Sequence, residues 1–287
     1  MSKLARSPDR EGGTQPILRL NKLTMATGKP RIAKYAGGSV ERRGCALCLQ
    51  SAVLQQSHLL PKALYRMVRG DGKNPHPLNI TANGWFQSSF QEKAHLLCAE
   101  CEQRFHQGGE NWVLKHLLRK DGSFLLWDKV VKHSQNLSDE RCTVYKVAAD
   151  AGIDFNALAY FAASIIWKAA AHPWRGGGEE ITLGERYQEQ FRLYLLHEQE
   201  FPEDAALIVD ITRPENRLKP IIGDPATARW PTHFQHSFFT PGVVFEIAAG
   251  KLIPEAVRRL CSLRNRFIVS SNHEEKYRSA YRSMSLR

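Results

Sequence analysis

The sequence predicts an α+β protein: a small module pinned by cysteines, followed by a mixed α/β body built around one buried helix. Three observations carry this. Two Cys-x-x-Cys pairs, Cys45/Cys48 and Cys98/Cys101, bracket a loop-rich stretch. The run from Phe155 to Ala171 is apolar on nearly every face, broken only by Asn156, Ser164 and Lys168. Beyond residue 142 or so, short strand-like runs alternate with helical ones. The division that follows is 1–40 as a flexible basic arm, 41–120 as the cysteine module and 142–287 as the mixed α/β body.

The arm mixes Gly, Ser, Pro and Lys/Arg without periodicity. Between the Cys pairs, Pro61, Pro75, Pro77, the Gly70-Asp71-Gly72 run and Asn83-Gly84 mark turns. Trp85 to Leu97, aromatic in a polar setting, reads as a β-hairpin. Glu102 to Leu118 reads as a helix interrupted at Gly108-Gly109, since glycine weakens a helix interior. Cys142 to Ala148 alternates as a strand does. Asp154 or its neighbour caps the Phe155–Ala171 helix, whose all-round apolarity requires burial on several sides. Pro173 and Gly176-Gly177-Gly178 stop it. Glu179 to His197 is a second helix, with Tyr187, Phe191, Tyr194 and Leu195 at helical spacing. Ala205–Ile211, Val243–Ala248 and Phe267–Val269 read as strands and Pro254–Leu263 as helical.

Composition is that of a globular chain, 43% hydrophobic and 24% charged over 287 residues. No run approaches the roughly 18 apolar residues that span a bilayer, and no apolar segment follows the basic N-terminus. The expectation is therefore a cytoplasmic protein without membrane contact. Net charge is +11 and sits at the ends: residues 1–44 carry ten Lys or Arg against three acids, and residues 256–287 eight against two. Such ends attract a polyanion, DNA with RNA as the alternative, with salt-dependent affinity.

Each Cys-x-x-Cys pair fits a tight knuckle that turns two thiolates to one ion, and two knuckles complete the tetrahedral S4 set of structural zinc. Such a site has no open position for substrate. The lone Cys142 and Cys261 have no partner suggesting a nucleophile and read as buried packing, as do Trp112, Trp167 and Trp174.

Between the pairs lies Gln56-Ser57-His58-Leu59-Leu60-Pro61-Lys62, and the second pair stands in Leu96-Leu97-Cys98-Ala99-Glu100-Cys101-Glu102-Gln103-Arg104-Phe105. Over residues 44–112 this order resembles the zinc-supported HNH endonucleases of the ββα-metal, or His-Me finger, group. The resemblance implies a metal-dependent DNA endonuclease in which His58 is the general base. A divalent Mg²⁺ or Mn²⁺, distinct from the zinc, would be held by Glu102, with His106 one helical turn on as the alternative ligand. An acidic residue found before the histidine in some members is Ser57 here, and the middle Asn is absent. His95 or Asn83 is the candidate stand-in. Lys62, Arg66 and Arg104 are candidate phosphate contacts. By analogy with bacterial antiviral defence nucleases, residues 142–287 would dock or answer to a protein partner. The competing expectation is a zinc-stabilised adaptor that binds nucleic acid or a partner and cuts nothing.

Overall fold

The computed structural model describes residues 43–69, 78–81, 84–87, 90–137, 142–174, 181–213 and 221–271, all within the unit Gly38–Arg287. The chain is mixed α and β. It opens with β1 (Arg43–Gly44) and β2 (Ser51–Ala52), an antiparallel pair closed by the first Cys knuckle. Next come β3 (Leu54–His58), α1 (Lys62–Val68), the paired β4 (Leu78–Thr81) and β5 (Gly84–Gln87), and β6 (Lys93–Cys98). Helix α2 (Ala99–Phe105) runs through a π turn (His106–Glu110) into α3 (Asn111–His116). The body continues with α4 (Leu125–Lys132), β7 (Ser134–Asn136), β8 (Cys142–Val147), α5 (Phe155–Ala171) and α6 (Gly184–Leu195). It closes with β9 (Ala205–Ile211), β10 (Ile222–Arg229), β11 (Phe234–Thr240), β12 (Val243–Ala249), α7 (Glu255–Arg259), α8 (Ser262–Asn265) and β13 (Phe267–Ser271).

Nine of these strands form one sheet in the order β5-β4-β10-β11-β12-β9-β13-β8-β7. Only β4–β10 and β9–β13 are parallel pairs. The central strands β9 and β12 bury residues on both faces, so they read as continuous apolar runs rather than alternating ones. Phe238 and Phe245 stack with centroids 5.1 Å apart, and Phe161 of α5 meets them edge-on at 5.9 and 5.4 Å. On its other side α5 meets the π turn so closely that a Cβ at Gly109 would lie 2.6 Å from the Ala157 carbonyl oxygen. Helix α5 is thus enclosed between the sheet and the α2–α3 helix, which explains its apolar circumference. Asp154 Oδ1 accepts the Ala157 N–H at 2.8 Å, the expected cap.

Two local expectations change. The hairpin expected over Trp85–Leu97 is divided: β5 joins the large sheet through β4, whereas β6 pairs with β3. The helix expected to break at Gly108-Gly109 instead continues, because the missing side chains let α5 press in and the backbone widens by one residue, Asn111 N–H bonding to His106 O. Of the two charged ends, residues 1–42 and 272–287 lie outside the described residues, as do Asn83 and the glycine turns at 70–72 and 176–178, whereas Arg258, Arg259, Arg264 and Arg266 lie within them. Among the described residues no helix is long and apolar enough to cross a membrane.

Candidate metal centre and the His58 pocket

The knuckle Cys45–Cys48 is closed by Leu49 N–H to Cys45 O at 2.8 Å and by Cys45 N–H to Gln50 O at 2.8 Å, with Leu49 at φ 61. The second pair straddles a strand-to-helix junction, Cys98 ending β6 and Cys101 lying in the first turn of α2. What brings the two together is a β-bulge. Gln55 pairs with Leu97 and Gln56 with His95, so Leu96 has no ladder partner. Its freed carbonyl accepts the Ala46 N–H at 3.0 Å, drawing the first knuckle onto the second. Arg192 of α6 adds a third tie, Nη1 to Leu47 O at 2.8 Å.

The four Sγ atoms lie within 4.8 Å of one another, Cys48 and Cys98 at 3.9 Å. A tetrahedron with Zn–S bonds of about 2.3 Å has sulfurs about 3.8 Å apart, so this donor set fits zinc. The Cys98 N–H to Cys45 Sγ bond at 3.3 Å adds charge stabilisation for thiolate. The Cys101 thiol, hydrogen-bonded to Cys45, pulls the Cys45 pKa down, and the same shared proton raises that of Cys101. Four thiols this close cannot all ionise without a cation among them. The cysteines can therefore hold a metal ion such as zinc.

His58 ends β3 opposite Lys93, and the Leu59 N–H then bonds Glu92 O at 3.0 Å. Leu59 and Leu60 are buried, and Pro61 opens α1, so the His-Leu-Leu-Pro sequence anchors the strand end and starts the helix. Burial, followed by the charges of Lys93, Lys168 and Lys62, lowers the His58 pKa, and the Gln91 side chain opposes this. His58 Nε2 and Gln91 Oε1 are both buried without a hydrogen-bond partner. The imidazole is neutral near pH 7 and stands in a cationic setting.

Glu102 of α2 lies within electrostatic reach of Lys168, and its Oε1 is also buried and unpartnered. His106 is drawn to Glu110, Nδ1 to Oε2 at 3.3 Å. His95 is exposed on β6, sharing a sheet face with Lys93 and His58 by strand alternation but one pair further along. Ser57 is buried, its Oγ accepting the Leu97 N–H at 3.3 Å beside the bulge, which gives it a structural duty in place of the acid. Lys62 and Arg66 are exposed one turn apart on α1. Arg104 projects from α2 about 200° round from Glu102 and donates to Leu196 O at 3.4 Å, on a different face. Trp167 and Cys261 are core residues, as expected, whereas Trp112 is half-buried, stacked on His116 at 3.8 Å. Cys142 lies at the start of β8.

Two residues beside His58 lie outside the set expected from sequence. Gln91 interacts with the ring, where His95 or Asn83 is the expected orienter. Lys168 reads in the sequence only as an interruption of an apolar run, although a lone cation on such a helix is itself a signal. Its Nζ donates to the His58 carbonyl oxygen at 2.9 Å. Comparison with protein-family models, curated proteins and solved structures returns no match to this chain.

Proposed function

We propose that this protein is a metal-dependent endonuclease of the HNH type, hydrolysing phosphodiester bonds in DNA with His58 as general base. The observation that carries this is the arrangement of β3, β6 and α2 around the four cysteines. His58 stands at the end of one strand, and the paired strand leads through the metal knuckle into the helix that bears Glu102. Glu102 presents a buried polar atom without a partner, Oε1, and His58 Nε2 lies beside the equally unpartnered Gln91 Oε1. Buried polar groups are ordinarily satisfied, so Glu102 Oε1 is a group awaiting a ligand.

In the reaction, water forms a new bond to phosphorus and gives its proton to the imidazole, while the ester P–O bond breaks. Gln91 Oε1 fixes the ring by accepting from Nε2–H, leaving the other nitrogen's lone pair for the water. Lys62 and Lys93, beside His58, draw in the phosphate. Mg²⁺ or Mn²⁺, which commonly uses one or two carboxylates and completes its shell with water and phosphate, would be held through Glu102 and would neutralise charge on the leaving oxygen. The cysteine-bound zinc takes no part beyond fixing the scaffold.

A second reading, a zinc-stabilised adaptor for DNA or a protein partner, draws on one observation. Among the described residues the four cysteines are the only group of three or more His, Cys, Asp or Glu with converging ligand atoms, and His106 is occupied by Glu110. Plasmid nicking with Mg²⁺ or Mn²⁺ separates the two. The nuclease reading expects metal-dependent cleavage that His58→Ala abolishes with zinc content and DNA binding retained. DNA binding without cleavage by wild type would favour the adaptor.

A further inference from the structure

Helix α5 carries a single charge, Lys168, and its side chain is 5% exposed. Moving an ammonium out of water costs several kcal/mol, and a leucine here would pack against Phe105 and its neighbours without that cost. The ammonium is directed instead at one backbone atom, the His58 carbonyl oxygen, 110 residues away in sequence. Phe105 offers its ring face, 5.8 Å from Nζ. Burial lowers the Lys168 pKa, and the carboxylates of Glu110 and Glu102, from the π turn and α2, oppose this by favouring the charged form. Lys168 therefore stands between the strand that ends in His58 and the helix face that bears Glu102.

We infer that Lys168 is a positioning residue for the His58 site: its ammonium holds the His58 carbonyl from behind while attracting Glu102 and Glu110, so that the imidazole and the carboxylate keep a fixed separation. Enclosed as it is, it does not touch DNA. The inference rests on the nuclease reading of His58, but its structural content can be tested without cleavage. The contact explains why an apolar helix of the body retains one cation, and it makes the body part of the site.

The test is Lys168→Met, which keeps length and apolar packing while removing charge and donor. In zinc-loaded, folded protein, kcat for plasmid cleavage should fall at least about tenfold, because a misplaced base loses much of its effective concentration. KM for DNA should stay within about twofold, since no ground-state contact is lost. The NMR titration midpoint of the His58 ring should rise, because one of three nearby cations, with Lys62 of α1 and Lys93 of β6 remaining and Gln91 unchanged, has gone. Wild-type kcat in the variant would overturn the inference. If wild-type protein does not cleave at all, the nuclease reading fails, and the ring midpoint and His58 carbonyl shift decide the positioning role: unchanged values in Lys168→Met overturn it. Should that variant not fold, wild-type protein labelled with ¹⁵N-lysine decides. It should show a slowly exchanging ammonium coupled to the His58 carbonyl carbon, and its absence would overturn the inference.

Discussion

The orienting duty proposed for Gln91 would come from its neighbours rather than from its type. Its Oε1 and His58 Nε2 are both buried and unpartnered, Gln91 standing just before β6 and interacting with the His58 ring. An imidazole that must accept a proton works best when its other nitrogen is held, because the hydrogen bond fixes both tautomer and orientation. Gln91→Ala should therefore reduce cleavage by about 10- to 100-fold while leaving zinc content intact. Steady-state kinetics beside a zinc assay checks this, and an unaltered rate would return the orienting role to His95 or Asn83. Ser57 behaves in the opposite way, a motif position with a purely structural task. Removing its hydroxyl leaves the buried Leu97 N–H unpaired, so Ser57→Ala should cost about 1–3 kcal/mol by urea denaturation. The cysteine cluster was legible in the sequence because its chemistry is carried by identity and spacing. The contacts of Gln91 and Lys168 with His58 were not, because they join positions 33 and 110 apart.

Elements whose formation depends on local pattern were the ones that sequence defined best. Helix α5 and strand β9 appear with the bounds that their apolar runs and the Asp154 cap imply. The pair β10 and β11 went unread, since Pro225 and scattered polar residues hide a ladder made by long-range partners. The π turn reads in the sequence as a break for a related reason: glycine propensity is local, whereas the advantage here comes from α5 sitting against Gly108 and Gly109. A Cβ at Gly109 would meet the Ala157 carbonyl oxygen at 2.6 Å and the Phe161 nitrogen at 2.8 Å, both backbone atoms that cannot move aside. Gly109→Ala should thus separate the two helices and cost about 1–3 kcal/mol, despite alanine's higher helix propensity. A rise in Tm would refute the seam. A metal ion held by the four cysteines would act on a different group of elements, β1–β2, β3–β6 and the start of α2, none of which belongs to the nine-stranded sheet. Chelation should strip one zinc per chain and abolish hydrogen-exchange protection in β3 and β6, while β9 and β12 remain protected. Loss of protection in all four strands together would mean that the sheet itself depends on the metal.

Across the whole molecule, two titratable groups on adjacent strands, half-buried Asp224 and buried His236, set opposing responses to pH. Asp224 of β10 is pushed up to about 6 from 3.8, chiefly by burial and then by the Glu92 charge. His236 of β11 is pushed down to about 4 from 6.5 by burial, with its Nδ1 on Thr227 Oγ1 at 2.8 Å. Between about pH 4 and 6, folded Asp224 holds a proton that the unfolded chain lacks, so its contribution to stability falls as pH rises. Folded His236 lacks a proton that the unfolded chain holds, so its contribution rises with pH through nearly the same window. Each slope is about 1.4 kcal/mol per pH unit and the signs differ, so the two largely cancel. Asp224→Asn should remove one side of this balance. Its stability relative to wild type should climb through the window and reach about 1–3 kcal/mol at neutral pH. Urea denaturation at several pH values, with zinc present throughout, measures that difference and lets other titrating groups, the cysteines included, drop out of the comparison. A pH-independent increment would locate the effect in packing rather than ionisation. The Asp224 carboxylate would then have to be read as hydrated, with no cost attached to its charge.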